Sequence, residues 1–286
     1  MNGTEFDTSN AEIIINGEEI GVGDDFVPDN LELGMVVTVE GRIEDDERFV
    51  ADRVIFNATV IGPVESISDI DATTKEIVVL GQTVIVNVVT LFEGTDFNAI
   101  AEDDVVAVNG YFDDNGVIRA TFLEKTGDIT SVAEFEVTGF VENLDTDLET
   151  FMINGLSIDY SSISNELPQG IPADDQFVEV QGELVGGELI ADTIELADEL
   201  DGEEGDEVEI MGFVTEIISE KDIIKFKLGN QEVHVDSDPE MVEYVDGDPS
   251  DIAPGQQLEA EGTLVDGILV AVEIEFWEPD QIEVEG

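Results

Sequence analysis

The chain contains 286 residues, of which 71 are aspartate or glutamate and only 9 are lysine or arginine, so its formal net charge at pH 7 is −62. A surface this acidic repels phosphate backbones and anionic lipids, and we therefore expect neither nucleic-acid binding nor binding to a membrane surface. The absence of cysteine excludes disulfides and thiolate chemistry, and no apolar run reaches the roughly 18 residues that a membrane-spanning helix needs.

Despite this charge, the composition is that of a folded protein. Hydrophobic residues make up 42% of the chain, and they alternate regularly with polar ones, which a disordered segment lacks. So many carboxylates indicate a solvated surface, or else a saline habitat or the binding of divalent cations. At about 1 M salt the Debye length falls to about 3 Å, which weakens the repulsion between them. We therefore expect added salt or calcium to stabilise the protein.

One pattern of residues occurs four times along the chain. Apolar and polar residues alternate, pass through a glycine, reach a turn and alternate again, as in a β-hairpin with one buried and one solvated face. A glycine inside a strand usually marks a bulge or a sharp bend. The copies recur at intervals of 69, 72 and 80 residues, which predicts tandem units. The four glycines, called the central glycines below, are Gly41, Gly110, Gly182 and Gly262.

A single strand and a shorter hairpin precede this pattern in each later copy. The shorter hairpins turn at Gly81, Asn154-Gly155 and Gly229-Asn230, and these residues favour tight turns because they adopt positive φ. The segment between the two hairpins is rich in Pro, Asp and Gly and is interpreted as a loop with at most one helical turn. Five strands per copy predict an all-β array of small five-stranded β-barrels of the OB type, with a short sandwich as the alternative.

The pattern divides the chain into repeat 1 (residues 1–57), repeat 2 (58–125), repeat 3 (126–197) and repeat 4 (198–277). Repeat 1 starts with Asn2-Gly3, which matches the middle of the shorter hairpin, so this repeat is expected to lack its first strand. Residues 278–286 match the start of a further repeat. The chain is then either a fragment of a longer array or a subunit whose last strand, with Ile282 and Val284, completes repeat 1 of a second copy by strand exchange.

Residues 2–11, 33–41 and 62–67 together resemble the bacterial domain-of-unknown-function 5666 family, in tandem copies that cover essentially the whole chain. The resemblance implies a β-barrel fold and a location in the cell envelope or outside the cell. In that family a secretion signal, often with a lipoprotein cysteine, and a first strand normally precede the Asn-Gly turn. Neither is present in this sequence, which favours truncation. The resemblance brings no established catalytic residues.

The candidates for enzyme chemistry are few. The single histidine, His234, is expected on the strand face opposite Val233 and Val235, and no nucleophile or orienting group accompanies it. Asp7-Thr8-Ser9 is similar to the aspartic-protease triplet, but that mechanism needs a second carboxylate motif, which is absent from the sequence. A strand end with a side-chain-capped turn is the simpler interpretation. We therefore expect a protein that is not an enzyme.

Calcium is the cofactor that the sequence favours, if the protein has one. Three acidic turns place oxygen ligands at alternate positions, and Ca²⁺ takes six to eight hard oxygens. None of the turns has the glycine and glutamate spacing of an EF-hand loop, and an ordinary solvated turn is the alternative interpretation. The candidate ligands are Asp69, Asp71, Asp145, Asp147, Asp246, Asp248 and Asp251.

Taken together, these patterns predict a non-catalytic secreted or envelope-attached repeat protein that acts as a spacer, scaffold or interaction module. The predicted location is extracytoplasmic: secreted, periplasmic or that of an outer-membrane lipoprotein. One alternative is a calcium-dependent adhesion or filament subunit that self-associates through the terminal strand. A second is a carbohydrate-binding protein, because OB barrels often bind oligosaccharides on one face.

Overall fold

The computed structural model describes residues 6–27, 31–43, 49–132, 134–164, 167, 170–197, 205, 207–220, 223–238 and 240–277. Their regular secondary structure is almost entirely β-strand. The chain divides into two compact units, which are described separately. The terminal unit contains Met1–Asn57, Tyr111–Asn115 and Glu199–Gly286, and the central unit contains Ala58–Gly110 and Gly116–Asp198. No helix among the described residues is long and apolar enough to cross a membrane.

Repeat 1 forms an open sheet in its described part. Its strands are β1 (Phe6–Asp7), β2 (Glu12–Ile15), β3 (Glu18–Val22), β4 (Thr38–Ile43) and β5 (Phe49–Phe56). β1 and β2 both lie parallel to β5, β3 forms a hairpin with β2, and β4 pairs antiparallel with β5. The small core is formed by Ala11, Ile13, Ala51 and Val54.

Repeat 2 is a closed five-stranded barrel. Its strands are β6 (Val60–Asp69), β7 (Thr74–Val79), β8 (Gln82–Asn87), β9 (Leu91–Glu93), β10 (Asp104–Phe112) and β11 (Ile118–Asp128). The ring runs β6-β7-β8-β11-β10 and closes where β10 pairs with β6, while the extra strand β9 lies parallel to β11. This order, with the third strand parallel to the fifth, confirms the predicted OB-like barrel.

Repeat 3 has the same order, but its first strand is in two pieces. These are β12 (Phe135–Phe140) and β13 (Glu142–Asp145), and β14 (Thr150–Ile153), β15 (Leu156–Asp159), β16 (Phe177–Val185) and β17 (Glu188–Leu196) follow. β12 pairs with β16 and β13 with β14, so both pieces belong to the ring that β15 and β17 complete.

Repeat 4 closes in the same way around an uninterrupted first strand. Its core includes Val214, Phe226, Val233 and Leu258. The strands are β18 (Glu207–Glu220), β19 (Ile223–Leu228), β20 (Gln231–Asp236), β21 (Glu243–Val245), β22 (Gln257–Val265) and β23 (Ile268–Trp277), with a 3₁₀ turn at Pro249–Asp251. β9 and β21 lie in segments predicted as loops, and each pairs parallel with the last strand of its repeat.

The turns and the central glycines behave as the sequence predicts. Asn154 and Gly155 both have positive φ, at 45° and 91°, as a tight hairpin turn requires. At Gly182 the register of β16 against β17 shifts by one residue, and a Cβ added there would lie 2.1 Å from the carbonyl oxygen of Ile190. The shift is a β-bulge, and only glycine fits its close backbone approach. The same shift occurs at Gly41 and Gly262.

Within the central unit, repeats 2 and 3 share a stretch of sheet. Val60 and Ile61 of β6 pair antiparallel with Val137 and Glu136 of β12. The sequence predicts separate barrels. The structure shows, in addition, that strands of these two neighbouring repeats pair with each other.

Candidate functional site

The acidic turn of repeat 2 uses its carboxylates within the turn itself. Asp71 Oδ1 accepts hydrogen bonds from the backbone N–H of Thr73 at 2.7 Å and from its hydroxyl at 2.8 Å. These bonds hold the pKa of Asp71 below its ordinary value. Asp69 forms an ion pair with Lys75 at 2.7 Å. Both candidate ligands therefore already have partners on the protein.

The other two acidic turns are similar. Asp145 Oδ1 accepts from the backbone N–H groups of Asp147 at 3.0 Å and of Leu148 at 2.9 Å. In repeat 4, Asp251 Oδ2 accepts from the backbone N–H of Asp248 at 2.9 Å, and Asp246 has a positive φ of 57°. The described residues contain no group of three or more His, Cys, Asp or Glu side chains arranged to hold a metal ion. Calcium binding therefore stays a prediction.

The remaining sequence candidates have simple surroundings. Val233 and Val235 are buried while His234 lies on the opposite face, and His234 Nε2 is 2.6 Å from Glu232 Oε1. Asp7 Oδ1 accepts from the backbone N–H of Ser9 at 3.1 Å, which is the predicted side-chain-capped turn. Ile282 and Val284 lie outside the described residues, so strand exchange stays a prediction.

The most unusual electrostatic environment lies in repeat 3, at a residue that sequence reasoning did not select. Glu136 alternates with the buried Phe135 and Val137, so its side chain lies on the outer face of the barrel, yet it is only 3% exposed. Its Oε1 is buried and has no hydrogen-bond partner among the described residues. Its Oε2 accepts from the amide Nε2 of Gln181 at 3.3 Å, and the same nitrogen donates to Glu179 Oε1 at 3.2 Å.

Burial and the neighbouring negative charges favour the neutral form of Glu136. Desolvation, then the charge of Glu179, raise its pKa to about 8, and the hydrogen bond from Gln181 opposes this shift. The pKa of Glu179 is also raised, first by burial and then by Glu195. A carboxyl group that stays protonated near neutral pH is uncommon and is a candidate for a functional role.

The four repeats correspond to four matches of one protein family. A family model described as "Domain of unknown function (DUF5666)" matches four segments, at residues 2–55, 61–124, 138–195 and 211–275. The chain belongs to the DUF5666 family. No curated protein matches this DUF5666 chain.

Two solved structures resemble the DUF5666 chain only weakly. One is described as Drosophila Unr CSD456, with 13% identity and a TM-score of 0.19, and the match covers 78% of this chain and 98% of that one. The other is described as a multidomain protein with nucleic acid binding domains from Streptococcus pneumoniae, with 16% identity and a TM-score of 0.18, covering 79% of this chain and 75% of that one. Scores this low support no functional argument, so the absence of nucleic-acid binding stays a prediction.

Repeats 1, 3 and 4 of the DUF5666 chain differ in the charges of one outer row of side chains, which we call the outer ridge. In repeat 3 it comprises Glu136 on β12, Glu179 and Gln181 on β16, and Thr193 and Glu195 on β17. Strand pairing locates the equivalent positions in repeats 1 and 4. In repeat 4 they hold Glu209, Glu259, Glu261, Glu273 and Glu275.

In repeat 1 the ridge contains an ion pair. Glu40 and Arg53 are cross-strand partners and occupy the positions of Gln181 and Thr193. Arg53 Nη1 is 2.8 Å from Glu40 Oε2. Glu40 and Gln181 each directly precede the central glycine of their repeat. This position is the signal that could have selected the ridge, because the side-chain period of a strand then fixes the face on which the row lies.

Proposed function

We propose that the chain is a non-catalytic repeat protein that acts outside the cytoplasm as a spacer or scaffold and holds neighbouring barrels in a fixed arrangement. The observation that supports this most directly is the stretch of sheet shared by repeats 2 and 3. At Val60 and Ile61, β6 lies between β10 of its own barrel and β12 of the next. A backbone ladder between two domains restricts their relative motion far more than a flexible linker does.

Further hydrogen bonds reinforce this contact. The backbone N–H of Thr138 donates to the carbonyl of Thr59 at 3.1 Å. The buried side chain of Gln82 donates to the carbonyl of Ile153 at 3.3 Å and accepts from Asn154 Nδ2 at 2.8 Å. Gln82 thus links the hairpin turns of the two repeats. A buried amide with all its partners in place favours one arrangement of the groups around it.

Two further features support a structural role over catalysis. The single histidine contacts a glutamate two residues away on the same strand face, and the candidate acidic residues cap turns rather than converge on a cleft. The proposed location outside the cytoplasm rests on the family resemblance. Calcium-dependent adhesion and carbohydrate binding stay alternatives, and calorimetry with Ca²⁺ and a glycan array would detect them.

The spacer function can be tested by the distance between repeats 2 and 3 in single molecules. Because the chain has no cysteine, Glu102→Cys and Asp192→Cys introduce unique dye sites at exposed positions of repeats 2 and 3. Glu93→Cys with Glu102→Cys gives a matched pair within repeat 2. We expect equally narrow distance distributions for both pairs, and we expect Gln82→Ala to broaden only the distribution measured between repeats 2 and 3. A broad distribution of the distance between repeats 2 and 3 in the parent protein would contradict the spacer function.

A further inference from the structure

We propose that the carboxyl group of Glu136 is a pH-sensitive switch that keeps repeats 2 and 3 joined while it is protonated and releases them when it ionises. The switch lies at the shared pairing, since Glu136 is itself one of the two β12 residues that pair with β6. The inference does not depend on the spacer function, because it concerns the stability of the contact and not its use.

The side chain is in a place suited to a neutral group. It is 3% exposed, and no atom in the described part of the chain forms a hydrogen bond with its Oε1. A buried polar atom without a partner is costly, far more so when it is charged. The amide of Gln181 gives Glu136 its one hydrogen bond, at 3.3 Å, and shares that donor group with Glu179. Neutral Glu136 tolerates this site, whereas ionised Glu136 is poorly compensated there.

Among the residues that the structure describes, all the charged groups facing Glu136 are negative. Glu134 precedes it in the chain, Glu179 faces it from β16, and Glu195 lies behind Glu179 on β17. The β6 residues opposite, Val60 and Ile61, are apolar, and the β10 residues beyond them, Ala107 and Val108, bring no charge. The sequence contains no lysine or arginine between residues 126 and 220. Ionisation therefore adds a negative charge to a buried site without a nearby cation.

The direction of the pH effect follows from linkage. Burial raises the pKa of Glu136 from 4.5 to about 8 in the joined state, and the pKa returns toward its ordinary value when the contact opens to water. The stabilisation of the joined state is therefore complete below pH 4.5 and is lost progressively as the pH rises through about 8. Few other groups titrate from pH 6 to 9, because the chain has one histidine and no cysteine.

The test is the distance between dyes at Glu102→Cys and Asp192→Cys in the full chain, measured from pH 6 to 9 at a urea concentration that populates joined and separated molecules. We expect the ratio of separated to joined molecules to rise roughly tenfold per pH unit between pH 6 and pH 8 and then to level off. Glu136→Gln, which is neutral at every pH, should remove this dependence. Glu142→Gln, at an exposed position of β13 whose charge does not act on Glu136, should leave it unchanged.

A second variant keeps the test decisive if Glu136→Gln does not fold. Glu179→Gln removes the nearest like charge, so the pH at which the ratio levels off should move downward. An unchanged ratio from pH 6 to 9 in the parent protein, an undiminished slope in Glu136→Gln, or no shift in Glu179→Gln would each overturn the proposal.

Discussion

The outer ridges of repeats 3 and 4 occupy the same positions on the same barrel, yet their electrostatics differ. In repeat 3 the neutral Gln181 stands between two glutamates and donates to both. In repeat 4 the same position holds Glu261, whose pKa is raised by burial and by the charges of Glu273, Glu209 and Glu207. The fold depends on the inward-facing residues, which alternate in the same way in both repeats. The outward-facing row is therefore free to vary in charge.

Burial explains why the difference matters. Glu136 is almost completely covered, so its charge is poorly screened by water and salt. The corresponding Glu209 of repeat 4 is only partly buried. Five carboxylates can coexist on the ridge of repeat 4 because solvent screens them, whereas one buried carboxyl in repeat 3 becomes a site that responds to pH.

Repeats 3 and 4 share the close backbone approach at the central glycine, and substitutions there should have the largest effect on stability. Gly182→Ala and Gly262→Ala should each reduce the free energy of unfolding by about 2–4 kcal/mol, because each new Cβ would lie 2.1 Å from a carbonyl oxygen, of Ile190 or of Val270. Chemical denaturation followed by circular dichroism measures both variants. The single Trp277, on β23, reports repeat 4 separately.

Gly186→Ala is the matched control. Gly186 lies in the β16–β17 turn with a positive φ of 66° and no atom near the added Cβ, so only backbone strain of about 1 kcal/mol is expected. Equal losses at Gly186 and Gly182 would contradict the close approach at the bulge.

The barrel could be predicted from sequence because its determinants are local. Alternation placed Val233 and Val235 inside the barrel, and Asn154-Gly155 set a tight turn. Three of the central glycines located bulges, at Gly41, Gly182 and Gly262. The short strands β9 and β21 were not predicted, because they are three residues each and are defined by their partner strand rather than by their own pattern.

Glu136 could not be predicted for a different reason. Its place in the strand marks it as outward-facing, and an outward-facing glutamate is normally solvated. Its burial at the pairing with β6 brings it beside residues about 75 positions earlier in the chain, and no local pattern encodes that contact. The position of Gln181 directly before Gly182 identifies the ridge, but only the structure shows which ridge is covered.

Salt should affect the two ridges unequally. Raising NaCl from about 0.05 M to about 1 M should stabilise repeat 4 by about 1–2 kcal/mol, because five like-charged side chains at roughly 0.2–0.5 kcal/mol each are screened. Repeat 3 should gain less, because Gln181 and Thr193 are neutral and Glu136 is buried. The measurement compares the unfolding transition seen by Trp277 with the loss of the dye distance in the central unit.

Calcium chloride at matched ionic strength separates screening from binding. A further increase in stability over NaCl would support the predicted calcium binding by the acidic turns. If neither salt shifts either transition, self-repulsion is not a significant cost to this fold.

Repeat 1 suggests how the ridge of repeat 4 can be stabilised. Glu273→Arg places an arginine opposite Glu261, as Arg53 lies opposite Glu40 in repeat 1. We expect a gain of about 0.5–1 kcal/mol, typical of an exposed cross-strand ion pair that also removes a repulsion. The matched control is Thr193→Arg in repeat 3, which faces the neutral Gln181 and should gain less. Equal gains in the two repeats would show that the local pairing does not matter.

The smallest expected effect is the pH dependence of repeat 4 itself. Burial raises the pKa of Glu261 and of Glu275, and the neighbouring carboxylates add to both shifts. A raised pKa in the folded state contributes stability that is complete below the ordinary value of 4.5 and is lost as the pH rises through the folded value. Lowering the pH from 7 to 5 should therefore raise the melting temperature reported by Trp277, by roughly 1–2 °C after allowing for solvent screening.

Glu261→Gln should reduce this rise while leaving the response of the central unit intact, because the two ridges lie in different units. A fall in melting temperature at pH 5 would mean that the ridge carboxylates of repeat 4 are stabilised as anions, and the contrast with repeat 3 would then rest on burial alone.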